Sequence, residues 1–112
     1  MGKILQIRVS AWTYREEDVE EAWPALVRLA WEHETYLEEK HGVLELVSAL
    51  SNGLLFENWP EKTASALRAG IATAVSIKNQ LETALSDWEP REANKLSDAL
   101  EDALTALNQL VP

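Results

Sequence analysis

The stretch Pro90-Arg91-Glu92-Ala93-Asn94-Lys95-Leu96-Ser97-Asp98-Ala99-Leu100-Glu101-Asp102-Ala103-Leu104-Thr105-Ala106-Leu107-Asn108-Gln109-Leu110 decides the fold class. Ala93, Leu96, Leu100, Ala103/Leu104, Leu107 and Leu110 recur at alternating three- and four-residue spacing. With ~3.6 residues per turn, that spacing puts them on one helical face. Helices that pack in bundles carry such a stripe. Pro90 suits the opening, because the amide it lacks would be unpaired in a first turn anyway.

Working back along the chain, residues 60–87 repeat the pattern through Ala64, Leu67, Ile71, Ala74, Ile77/Lys78, Leu81 and Leu85, and the stripe continues to Trp88. Asn58-Trp59-Pro60-Glu61 opens that helix with a capping-box spacing and an early proline. Residues 43–52 carry Val43, Leu44, Leu46, Val47, Ala49 and Leu50 and stop at Asn52-Gly53, leaving Leu54-Leu55-Phe56 as a short apolar loop. Residues 24–41 show a stripe of Leu26, Leu29/Ala30, His33 and Tyr36/Leu37 and end at Gly42, a natural C′ residue. The stripe stays in phase across Gly42, so a continuous helix is the competing reading, at about 1 kcal/mol for the glycine.

Pro24 breaks or kinks what precedes it, which leaves a short helix over 14–23. Thr13-Tyr14-Arg15-Glu16 fits a capping box for it, and Asp18-Val19-Glu20-Glu21 is a second candidate. Residues 4–12 alternate, with Leu5, Ile7, Val9 and Ala11 on one side and Gln6, Arg8 and Ser10 on the other. Period two with β-branched residues predicts a strand; Ile4, Ile7 and Ala11 also fit a helical stripe, which is the competitor. The expected fold is mainly α: an antiparallel helical bundle of three to four helices with a short N-terminal β-strand or extended arm. It forms a single domain over 1–112, with residues 1–12 as arm and 13–111 as bundle, and 112 residues suit one core.

Composition narrows the function classes. The net charge is −9, and there is no cysteine. Disulfide scaffolds, thiol nucleophiles and thiolate metal sites are excluded. The acidic balance argues against nucleic acid, whose phosphates need a basic footprint. The charge is uneven: residues 1–15 carry Lys3, Arg8 and Arg15 without an acid, 16–45 carry ten acids against Arg28 and Lys40, and 46–85 balance three against three. The last segment, 86–112, carries six acids against Arg91 and Lys95. The neutral segment should be the most buried, because charged side chains rarely bury unpaired. No apolar run reaches the ~20 residues of a membrane span, and the start lacks a secretory pattern, so a cytoplasmic protein is expected.

Few residues suggest chemistry. Glu38-Glu39-Lys40-His41 contains a Glu-x-x-His, and Glu34 lies one turn earlier. Glu34, Glu38 and His41 share a helix face and form a candidate metal site, but a solvated acidic face is the favoured reading, because this spacing specifies a site only loosely. Without cysteine, any metal would need carboxylates plus His33 or His41. Nucleophile elbows and phosphate-binding glycine loops are missing, so no reaction or cofactor is assigned and an enzyme is not expected. Ala66, Gly70 and Ala74 put small residues on one face, fit either for packing within the chain or for a helix–helix dimer seam.

Trp23-Pro24, Trp59-Pro60 and Trp88-Glu89-Pro90 place a tryptophan at three helix openings, each read as packing back onto its helix. The N-terminal strand needs a mate for its backbone groups. That mate is residues 54–56, the same strand of a second copy, or another protein's sheet edge. Leu5, Ile7 and Val9 are the candidate contact residues, and a homodimer is the expected assembly. The functional expectation is a small acidic cytoplasmic interaction or structural module; the alternative is a metal- or small-ligand-binding bundle using the Glu/His face.

Overall fold

Five helices and no strand occur in the computed structural model among the described residues, which are 10–31, 41–56 and 59–112. They are α1 (Glu16–Ala22), α2 (Pro24–Trp31), α3 (Val43–Phe56), α4 (Glu61–Ser86) and α5 (Pro90–Leu110). The protein is therefore mainly helical. α1 and α2 are only 7 and 8 residues long. Most of the predicted strand, residues 4–9, lies outside the described residues, and Ser10-Ala11-Trp12 at its end is neither strand nor helix.

Pro24 breaks the chain rather than kinking it. Trp23 leaves the helical region at φ −133°, ψ 61°, and α2 begins at the proline. The joint is pinned to α5 from both sides. The Trp23 indole Nε1 donates to Thr105 Oγ1 at 3.1 Å, and the Leu26 amide donates to Asn108 Oδ1 at 3.1 Å. Asn108 thus satisfies a first-turn amide of α2 from another helix, doing the work of a local cap.

Two glycine readings are corrected. Gly42 is no left-handed C′ residue, since no described glycine has positive φ. It precedes α3, and its carbonyl accepts from the Leu46 amide at 2.9 Å, the first intrahelical bond. Gly53 does not stop α3, which runs on through Leu54-Leu55-Phe56. A Cβ at Gly53 would lie 2.4 Å from Cζ2 of Trp59, so the missing side chain admits the indole against the helix. Burial of that ring offsets the ~1 kcal/mol that glycine costs in a helix. Because 54–56 are helical, they cannot serve as the strand mate considered above.

α4 and α5 form an antiparallel hairpin. Gly70 of α4 faces Leu107 of α5, while Ala84 and Leu96 line the same surface groove nearer the turn. α3 runs antiparallel to α4, its end meeting Trp59 and its start lining a cleft with Leu81. Leu26, Leu46, Leu50, Leu67, Leu100, Leu104 and Leu107 fill the core. The charge-balanced segment supplies much of it through Leu46, Val47, Leu50, Leu67, Ile71, Ala74 and Leu81, as expected. No helix among the described residues is long and apolar enough to cross a membrane.

The turn between α4 and α5 is a Schellman motif. The Glu89 amide donates to the Ala84 carbonyl at 2.9 Å, and the Trp88 amide to Leu85 at 3.2 Å. The C′ position, where glycine is usual, is held by Trp88 at φ 57°. Trp88 is 58% exposed, so the staple reading fails for it; the contacts of buried Trp23 with Thr105 of α5 and of half-buried Trp59 with Gly53 of α3 are with other helices than the ones they open. A left-handed conformation costs a side-chain-bearing residue about 1–2 kcal/mol. Trp88→Gly should therefore raise stability by about 1 kcal/mol, read as a higher urea midpoint.

Candidate functional site

Residues 11–15 are held as a wall over the helices by an unusual cap on α3. Gly42 has no side chain to accept from the first amides of α3. Thr13 Oγ1 does so instead, accepting from the Val43 amide at 2.7 Å, and Glu45 Oε1 accepts from the Gly42 amide at 3.1 Å. Glu16 Oε1 accepts from the His41 amide. The capping-box residues Thr13 and Glu16 thus serve α3 and not α1, whose N-cap Arg15 makes no side-chain cap bond. Two carboxylates at this helix start also match the positive end of its dipole. A Cβ on Gly42 would lie 2.4 Å from Glu45 Oε1 and 2.5 Å from Thr13 Oγ1, so only glycine leaves room for both acceptors.

The wall encloses a cleft of about 350 Å³. Its inner side is apolar: Val19 of α1, Trp23, Val43 and Leu44 of α3, Leu81 of α4 and Leu100 of α5. Trp12 and Tyr14 stand at the mouth, 77% and 91% exposed. Asp18 from α1 and Glu101 from α5 add carboxylates to the lining. Arg15, its basic member, lies 3.8 Å from Glu17. Volumes of ~300–1,000 Å³ with apolar walls and a few polar groups are typical of small-molecule sites.

Of the candidate metal set, Glu34 and Glu38 lie outside the described residues, as does His33. His41 is described: its ring stacks on Trp31 with centroids 4.0 Å apart and planes 10° from parallel. Its Nε2 is buried and has no hydrogen-bond partner among the described residues. Among the described residues no cluster of three metal-ligating side chains occurs. Leu5, Ile7 and Val9 also lie outside the described residues.

The small-residue stripe packs within the chain. Gly70 lies against Leu107, where a Cβ would approach Cδ1 to 2.4 Å; Ala74 is buried, and Ala66 packs at the core margin. The residues around the cleft escaped the sequence reading because five separate segments contribute to it. The one available signal was the pair Trp12 and Tyr14, two aromatics flanking a threonine outside every helical stripe. Comparison with protein-family models, curated proteins and solved structures finds no match.

Proposed function

We propose that the chain is a small, acidic, cytoplasmic interaction module, an antiparallel bundle built on α3, α4 and α5, that forms a homodimer and presents aromatic side chains to a protein partner. The observation that carries this reading is the exposure of Trp88 in a backbone conformation that favours glycine. A residue that lowers stability and buries little of its own surface is better explained by a contact outside the chain. Exposed Trp12, Tyr14, Leu55 and Phe56 add to the apolar surface offered.

Self-association rests on the N-terminal arm. Its alternating Leu5, Ile7 and Val9 suit strand pairing about a two-fold axis, and its basic residues oppose the acidic 16–45 segment of a second copy. Gly70 and Ala74 pack within the chain, which favours the arm over the Ala66-Gly70-Ala74 stripe as the dimer contact. Deleting residues 1–11 is expected to halve the molar mass measured by light scattering. An unchanged mass would remove the arm from the assembly.

A second reading, metal or small-ligand binding on the Glu34, Glu38 and His41 face, draws on the buried His41 Nε2, which has no partner among the described residues. It predicts a thermal shift with a divalent ion that disappears in His41→Ala. Indifference to zinc, nickel, manganese and calcium would eliminate the metal form of it.

A further inference from the structure

The cleft beneath residues 11–15 has a chemistry of its own, independent of self-association. We propose that it binds a small organic amine, an apolar or aromatic body carrying a positively charged nitrogen.

Three features converge on that class. The inner surface, from Val19, Trp23, Leu81 and Leu100, removes an apolar body from water. Trp12 and Tyr14 line the same cleft, and aromatic rings carry a negative quadrupole that attracts ammonium groups. Asp18 and Glu101 approach the same cleft from different helices and fix a negative rim. An anionic ligand would meet two carboxylates, with the lining's one guanidinium already beside Glu17. A neutral ligand would gain from the floor but nothing from the rim. A cation gains from floor, rings and rim together. The volume, about 350 Å³, lies at the small end of ligand sites and points to a free molecule rather than a peptide.

The test titrates the full chain with phenylpropylamine, phenylpropanol and phenylpropionate, which share one apolar body and differ in charge. Two-dimensional amide NMR locates the binding, and calorimetry gives Kd. The amine is expected to bind at least about fivefold tighter than the alcohol and about tenfold tighter than the carboxylate, with shifts centred on residues 11–15 and 97–101. Combined Asp18→Asn and Glu101→Gln substitutions should bring the amine to within about twofold of the alcohol and leave the alcohol unchanged. Both positions are exposed, so the fold survives. Ser97→Trp, which fills the cleft from α5, should weaken amine and alcohol alike.

Equal binding of amine and carboxylate would overturn the proposal. So would shifts centred elsewhere, or an amine preference that persists in the neutralised variant. A trimethyllysine peptide binding more than about tenfold tighter than the amine would overturn the free-molecule assignment.

Discussion

Trp23→Ala is expected to remove about 3–5 kcal/mol of stability, a large share of the ~5–15 kcal/mol typical of a small domain. Trp23 is 4% exposed and sits at the break between α1 and α2. Its truncation leaves a cavity under the cleft and removes the hydrogen bond to the Thr105 hydroxyl on α5. The transfer and cavity contributions dominate, and the hydrogen bond adds about 1 kcal/mol. Trp23→Phe should therefore lose much less, since the ring volume is largely kept. The urea midpoint checks both: with a slope of ~1–3 kcal/mol per molar, the alanine variant should shift by more than about 1 M. A loss under about 1 kcal/mol would mean that the α1–α2 joint does not dock on α5.

Leu104→Ala should cost about 2–5 kcal/mol, whereas Leu110→Ala on the same helix stripe should stay within about 0.5 kcal/mol. The periodicity alone treats the two as equals. The structure separates them: Leu104 has no exposed surface, while Leu110 is half-exposed at the end of α5. Leu104 lies in the core cluster with Leu67, Ile71 and Leu107, where its removal leaves a void that rigid helices cannot close. Similar losses for both variants would contradict this placement of α5.

What could be read from the chain follows from how local each cause is. Residues 90–110 read correctly to the residue, because proline, stripe and end all lie within the helix itself. An interruption at Pro24 was legible for the same reason, since one residue lacks a donor and clashes one turn back, but the choice between a break and a kink was not. Gly53 misled because its cause is distant. The glycine makes room for Trp59, which a sequence pattern cannot distinguish from a helix stop.

Thr13 and Glu16 carry the right chemistry for a capping box but cap a helix some thirty positions on, at Val43 and His41. Nothing local distinguishes the two targets. The cleft is less legible still. Leu81 and Leu100 fit the core patterns, but their meeting with Trp12, Asp18 and Glu101 depends on how the helices cross. The candidate residues Glu34, Glu38, Leu5, Ile7 and Val9 lie outside the described residues.

The molar mass of the intact chain in solution tests the central claim most directly. Light scattering at micromolar concentration and near-physiological salt should give twice the 12.6 kDa of one chain. A species that stays at 12.6 kDa as the concentration rises would contradict the homodimeric interaction module.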